Sequence, residues 1–417
     1  MVNNIQKKVL ILALFAGEIM MKSGAEIYRV EDTIVRICKA CKIDYVECFA
    51  TTTGIFLSLD NAGDENDMYT FIKRIKRTEL NLNRISAVNA FSRVFTTTDL
   101  SVDDGFEQLK AINASKEYPL WVQLLGAIIV GAFFCPMFDG SVSDMFIAGG
   151  ISGVSFLIST AIQKLGFPDF IRIFISCAGA AAMVLVTAVL GAGDSVTPII
   201  IAATVLFLPG MAITNAARDF LSGDMLSGVA RLTEALIAAI AIAGGISIGI
   251  KGWQMLGGAI AVDRIATFAP PWFIMFGFFA TFGFCFIFNA PKKLIISVSL
   301  IGAAGTFLLV FMTSHYGIVS GSFAGACVIA ILAEIASRAG KEAATVFIIP
   351  GIIPFVPGSL LYKTMDYILE GDYTKAAEQG TEVMLIAGSI AVALVLVATL
   401  TRLAVMGMNK LSKPEDD

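Results

Sequence analysis

The chain has 417 residues, 56% of them hydrophobic and only 15% charged, with a net charge of −4 and a mean hydropathy of +0.79. A globular domain in water is nearer half apolar and a quarter charged, so the composition defines a polytopic α-helical membrane protein. No basic stripe is present to grip phosphates, which argues against nucleic acid as a partner. The seven cysteines are scattered, four of them (Cys135, Cys177, Cys285 and Cys327) within apolar runs, and read as small buried hydrophobes rather than a disulfide frame.

The first stretch is not a membrane anchor. Val9–Met21 is apolar for about a dozen residues and carries Glu18, well short of the ~20 residues a spanning helix needs. Asn4–Lys22 therefore reads as a buried helix. Ser23-Gly24 breaks it, and Ala25–Lys42 restarts with Ile27, Val30, Ile34 and Ile37 at helical spacing. Cys38-x-x-Cys41 falls inside that helical pattern with no histidine nearby, so it reads as packing, not a metal site. Tyr45–Ala50 and Ile55–Leu59 predict a hairpin, Asp60–Asp67 a polar turn, and Met68–Ile75 a third strand. Two helices follow, Leu80–Phe95 and Val102–Ala114, the second with Ser101 as N-cap. About half of all charged residues precede Pro119. Residues 1–118 are thus expected to be a water-facing α/β domain.

From Leu120 to about residue 407 the chain reads as about ten apolar spans. Basic residues favour every second connection: Lys110 and Lys116, then Lys164 and Arg172, Arg218 and Arg231, Lys292 and Lys293, Arg338 and Lys341, and finally Arg402, Lys410 and Lys413. Lys251 and Arg264 are exceptions. This bias puts both termini in the cytoplasm. The expected modules are residues 119–250 and 251–417, five spans each. Because five is odd, the two repeats have opposite topology if both Pro-Gly segments span, and parallel topology if one of them re-enters instead. Gly317, Gly321 and Gly325, Gly149 and Gly153, and Gly245 and Gly249 are spaced four apart, which suits close helix packing in lipid.

One phrase occurs twice. Ala202–Gly210 reads AATVLFLPG and Ala343–Gly351 reads AATVFIIPG, with six of nine letters identical. Phe220–Asp224 matches Ile368–Asp372, and Thr233-Glu234 matches Thr381-Glu382. Proline and glycine break or kink a spanning helix, and paired broken helices in two repeats point to a transporter's binding site. The expected pathway residues are Pro209, Gly210, Asn215, Asp219, Pro350, Gly351, Pro357 and Gly358. Charges within spans are costly and normally face a cavity or a partner, which nominates Glu234, Glu382 and Glu334 for proton coupling. Glu18, Lys22, Glu26 and Arg29 are spaced three or four apart and form one charged helix face if the Ser-Gly break is gentle. They are assigned a gating or interdomain role.

Enzyme chemistry finds no support. His315, expected in an outward loop, is the one histidine, so histidine triads and histidine metal clusters are excluded. No phosphate-binding or dinucleotide-binding loop is present. Neither a metal nor a cofactor is expected.

Leu14–Glu31 (LFAGEIMMKSGAEIYRVE) followed by Phe49–Leu59 (FATTTGIFLSL) resembles the N-terminal signature of the bacterial threonine/serine exporter family, with Ser23–Glu31 the most specific block. The later Pro-Gly-containing half looks like that family's second module, so the resemblance covers essentially the whole chain. It implies export of small polar metabolites coupled to the proton motive force, in the inner (plasma) membrane. Relatives with the two modules on separate subunits have been linked to dicarboxylate export, so both substrate classes stay open. A third reading is a non-transporting membrane protein whose domain in water senses a partner. Small-molecule substrate, protons, lipid bilayer and a homo-oligomeric partner are the expected associations.

Overall fold

Apolar spacing builds the first elements. Helix α1 (Asn4–Lys22) and helix α2 (Ile27–Ala40) pack together, with Leu10, Leu12, Ile19, Ile27, Val30, Ile34 and Ile37 at most 1% exposed. The short apolar run of α1 is thus a core helix, as its length requires. Strands β1 (Val46–Thr51), β2 (Gly54–Leu59) and β3 (Tyr69–Arg74) follow. They form one antiparallel sheet in the order β1-β2-β3, with Phe49 opposite Phe56 and Phe56 opposite Ile72. Period-two alternation turns Ala50, Ile55 and Leu57 inward and leaves Phe49, Phe56 and Ile72 exposed. Helices α3 (Leu82–Thr97) and α4 (Val102–Asn113) are each N-capped by a side chain. Asn81 Oδ1 accepts from Arg84 N, and Ser101 Oγ accepts from Asp104 N.

The computed structural model describes residues 4–43, 45–59, 69–76, 78–255 and 266–411. The expected turn at Asp60–Asp67, the strand start at Met68, and Arg264 and Lys413 lie outside these residues. Two units separate. One comprises Met1–Tyr118, Phe288–Lys293 and Ser337–Val346; the other comprises Pro119–Ile287, Leu294–Ala336 and Phe347–Asp417.

The second unit is helical throughout. In chain order it contains α5 (Leu120–Phe134), α6 (Val142–Lys164), α7 (Asp169–Val189), α8 (Val196–Thr204), α9 (Gly210–Ser222) and α10 (Met225–Met255). Then come α11 (Trp272–Ile287), α12 (Ile295–Tyr316), α13 (Ile318–Gly340), α14 (Ala344–Ile352), α15 (Gly358–Glu370) and α16 (Tyr373–Leu411), the last turn of α13 and the first three residues of α14 being counted with the first unit. Among the described residues, seven helices are long and apolar enough to cross a membrane, or eight if the bent pair α8–α9 counts as one span. The chain is therefore a polytopic helical membrane protein. His315 lies in the last turn of α12, not in a loop. Glycines let the helices touch through their backbones. A Cβ on Gly126 would lie 2.8 Å from the Gly283 carbonyl, and one on Gly283 would lie 2.7 Å from the Gly126 carbonyl, which binds α5 closely to α11.

The expected ladder from Glu18 to Arg29 does not form. Gly24 adopts φ 78°, a left-handed turn that breaks α1 from α2 and sends the two halves of the ladder apart. Glu18 pairs with Lys22 at 2.7 Å and with Lys73 of β3 at 2.9 Å, while Glu26 pairs with Arg29 at 2.5 Å. Burial raises the pKa of Glu18, but the hydrogen bonds and charges of Lys22 and Lys73 outweigh it and hold the carboxyl below its ordinary value. A lowered carboxyl pKa adds stability above the unfolded pKa and loses it as pH falls through the folded one. Glu18→Gln is therefore expected to lower the unfolding midpoint of the full chain by a few degrees at pH 7. The gap from wild type should close as the pH drops below about 4.3, as thermal melts between pH 7 and pH 3.5 would show.

Candidate functional site

Two helices of the second unit are interrupted in the same way. After α8 a 3₁₀ turn (Val205–Phe207) ends at Leu208, extended at φ −63° and ψ 126°, and Pro209 opens α9. After α14 a 3₁₀ turn (Ile353–Phe355) ends at Val356, extended at φ −70° and ψ 130°, and Pro357 opens α15. A residue before proline is driven out of the helical region, so Leu208 and Val356 become the breaks. The α8 segment and α9 are bent by 57°. Both second halves end on a left-handed glycine, Gly223 at φ 90° and Gly371 at φ 83°.

The breaks meet face to face. A Cβ on Gly210 would overlap the Val356 side chain, lying 2.7 Å from its Cβ, and one on Gly358 would lie 2.7 Å from the Leu208 Cβ. Only glycine permits this approach. The step from Pro209 to Pro357 is 148 residues, and it also carries Gly223-Asp224 onto Gly371-Asp372 and Thr233-Glu234 onto Thr381-Glu382. The core beneath the breaks obeys it too. Ile213, Ala235 and Ala239 pack with Leu361, Val383 and Ala387 in one buried cluster, each 148 residues from its counterpart. Helices α9 and α15 both pack on α10 and α16.

Here the register of the repeated phrase is corrected. Pro350 and Gly351 lie inside α14, and the break falls seven residues later at Val356-Pro357. Pro350 costs α14 one i→i−4 bond and crowds the Val346 carbonyl, yet the helix continues through it to Ile352. Val356 is the residue that proline forces to extend.

The remaining candidates are dispersed. Asn215 is half-buried on α9. Asp219, buried near the end of α9, pairs with Arg231 of α10 at 2.9 Å, a pair replaced by Tyr367 and Gln379 in the second half. Glu234 is exposed on α10, Glu382 half-exposed on α16 and Glu334 half-buried on α13. In α10 and α16 the core-facing positions are the next residues, Ala235 and Val383. Thr214, one residue past the core position Ile213 and unremarked in the sequence, is 1% exposed, and its Oγ1 has no hydrogen-bond partner among the described residues. Its signal was a hydroxyl one turn beyond Pro209-Gly210.

An apolar cleft of about 260 Å³ lies between α9, α10 and α16, lined by Ile213, Ala216, Phe220, Leu232, Met384 and Ala387. No charged side chain occurs in Val205–Gly210 or Ile353–Gly358. The polar chemistry at the breaks is therefore that of the backbone: first-turn N–H groups of α9 and α15, and last-turn carbonyls of α8 and α14. With the partial charges of helix ends, such a place offers donors for an anion and acceptors for a cation without a charged residue.

A multi-span helical protein with two interrupted helices packed break against break belongs to the class of membrane transport proteins. The chain is a member of the threonine/serine exporter family: the family described as "Putative threonine/serine exporter" matches residues 11–253, and "Threonine/Serine exporter, ThrE" matches residues 273–400. It is 26% identical to the "Probable threonine/serine exporter" of Mycobacterium tuberculosis, over 86% of this chain and 70% of that protein. It is 23% identical to the "Threonine/serine exporter" of Corynebacterium glutamicum, over 86% and 75%. The "Probable succinate transporter subunit YjjP" of Klebsiella aerogenes is 24% identical over 61% of this chain and 97% of its own length. No solved structure matches the chain. The relatives bear the names of exporters and transporters, and the protein is not an enzyme.

Because each glycine accommodates the opposite extended residue, Gly210→Ala is expected to reduce transport at least tenfold at normal membrane insertion. Val356→Ala in the same chain should restore part of it, as efflux rates from vesicles matched for protein content would show. Pro357-Gly358 replaced by Ala-Ala should impair transport more than the same change at Pro350-Gly351.

Proposed function

We propose that the protein is a proton-coupled exporter of small zwitterionic amino acids of the threonine and serine kind. Its pathway passes between the two breaks, with Pro209, Gly210, Pro357 and Gly358 around the substrate and Asn215 and Asp219 farther along α9. The observation that carries this reading is the mutual seating of Gly210 on Val356 and Gly358 on Leu208. A zwitterion matches a site of backbone donors and acceptors. A dicarboxylate, the alternative suggested by the name of the Klebsiella relative, brings two negative charges to turns that hold no cationic side chain.

In this reading the membrane part has ten spans. Added to the seven long helices are the broken pairs α8–α9 and α14–α15, and α11. They divide into two five-span halves of inverted topology, residues 119–250 and 251–417. Residues 1–118 form a soluble cytoplasmic domain, and the C-terminus is also cytoplasmic, at the plasma membrane. Inversion supports alternating access, since each half presents its broken helix from the opposite side.

Glu234 and Glu382 are proposed as proton-capturing groups at the rims. Sixteen apolar or neutral residues separate Glu234 from Lys251, and nineteen separate Glu382 from Arg402, lengths of about 24 and 28 Å that approach the ~30 Å hydrocarbon core. The carboxylates thus stand where water and lipid meet, and Glu334 is the further candidate on α13. A second copy of the chain is the further partner proposed, covering part of an apolar surface that otherwise meets lipid.

Efflux of labelled threonine, serine and succinate from proteoliposomes, with and without an imposed pH gradient, tests the reading. Threonine or serine efflux accelerated by the gradient is expected. Glu234→Gln and Glu382→Gln should retain exchange of labelled for unlabelled substrate while losing most of the acceleration. Succinate flux in place of amino-acid flux would move the assignment to dicarboxylates, and absence of flux would favour a non-transporting role.

A further inference from the structure

The three-stranded sheet of the first unit is apolar on both faces. On the inner face Ala50, Ile55 and Leu57 are at most 3% exposed, with β1 packed on α2 and β2 on α1. On the outer face Phe49, Phe56 and Ile72 pair directly across the three strands. They are 52%, 41% and 67% exposed, and the Phe49 and Phe56 rings lie 6.1 Å apart. A sheet buries an apolar face against a further layer, and an exposed apolar patch rimmed by polar groups marks an interaction surface.

Charge is arranged around this row so that the face complements itself. Glu47 stands opposite Ser58, two residues along β2 from Phe56. Arg74 stands opposite Gly54, two residues along β2 in the other direction. Acid and base are therefore diagonal corners of the outer face, with Phe56 at the midpoint, and both are exposed. The next outward positions extend the diagonal. Exposed Tyr45 precedes Glu47 at one corner, and exposed Lys76 follows Arg74 at the other. Lys73, on the inward row of β3, is by contrast already paired with Glu18 at 2.9 Å.

We propose that this outer face pairs with the same face of a second copy of the chain, about a two-fold axis through Phe56. An isologous interface makes each contact twice. With the axis in the plane of contact and perpendicular to the diagonal, Glu47 of each copy meets Arg74 of the other. Tyr45 meets Lys76, a cation over an aromatic face. Phe56 meets its own counterpart, and Phe49 comes over Gly54, where no side chain stands in the way. With strands about 4.8 Å apart and a rise of about 3.4 Å per residue, the two sheets cross at roughly 70°, near the orthogonal class of sheet packing. The face covers about 300 Å² per copy, against the ~800 Å² per partner of a stable complex in solution. It joins copies already concentrated in one bilayer, and they part on dilution. A lipid surface is the poorer occupant, because it would set Glu47 against anionic headgroups.

Oxidative cross-linking of the full-length protein in liposomes tests the pairing without reference to transport. Phe56→Cys, on the axis, is expected to give a disulfide-linked dimer in several-fold greater yield than wild type, whose seven native cysteines set the background. Lys39→Cys, exposed on α2, should stay at that background. In the Phe56→Cys chain, Glu47→Arg and Arg74→Glu are each expected to cut the yield by about threefold or more. The double exchange should restore it, which only an acid meeting a base of the other copy can do. A yield no greater than that of Lys39→Cys overturns the proposal, and so do single reversals that the double exchange fails to rescue. The thiol of Phe56→Cys should also gain reactivity toward a water-soluble maleimide as lipid is added to dilute the copies. Protection that persists at high dilution would assign the face to the bilayer surface and overturn the pairing.

Discussion

A helix interrupted inside a bilayer leaves backbone donors and acceptors that lipid cannot satisfy, and such groups are tolerated only where protein or a water-filled cavity surrounds them. The chain meets this constraint by setting one interruption against the other. Gly210 lies on Val356 and Gly358 on Leu208, so each break is roofed by the extended residue of its counterpart. The rest of the second unit follows from that pairing. Helices α9 and α15 both pack on α10 and α16, and small side chains such as Ala235, Ala239 and Ala387 fill the buried space where they meet.

The same geometry is reached with two different sets of side chains. Torsions at Pro209 and Pro357 agree within about ten degrees, yet few letters are shared beyond Pro-Gly and Gly-Asp. Where the halves differ, the difference lies in charge. Asp219 and Arg231 form an ion pair in the first half, and neutral Tyr367 and Gln379 stand in their places in the second. Glu342 has a serine and a lysine where Asp194 has two serines. The two halves therefore carry unlike polar groups at equivalent positions of a shared backbone.

Much of this was legible in the residues. Length and charge separated α1 from a membrane span, alternation located the three strands, and Ser101 marked the start of α4. Pro-Gly identified both interrupted regions. The register of the second was misread because AATV is apolar filler that matches by composition, while the residue that decides a break is the one forced to extend before proline. Pro350 has a helical neighbour and is absorbed, whereas Val356 follows Pro354 and precedes Pro357. The ladder from Glu18 to Arg29 failed on one torsion, that of Gly24, which spacing rules do not contain. The partners of Ser86 and Glu26 lie 256 and 319 residues away. No local pattern encodes a contact of that separation, so the pairing was invisible until the fold was in hand.

That separation also bears on how the protein comes into being. The unit that opens the chain is assembled from Met1–Tyr118 together with Phe288–Lys293 and Ser337–Val346. At synthesis rates of about 5–20 residues per second, the last of these segments follows Tyr118 by more than ten seconds. During that interval six or more helices must be delivered to the bilayer while Ser86 and Glu26 wait for their acceptor and donor. The first 118 residues of this chain are thus among the last to be finished, and a ribosome that stops between Lys293 and Ser337 releases a chain in which they lack one of the two later segments that complete them.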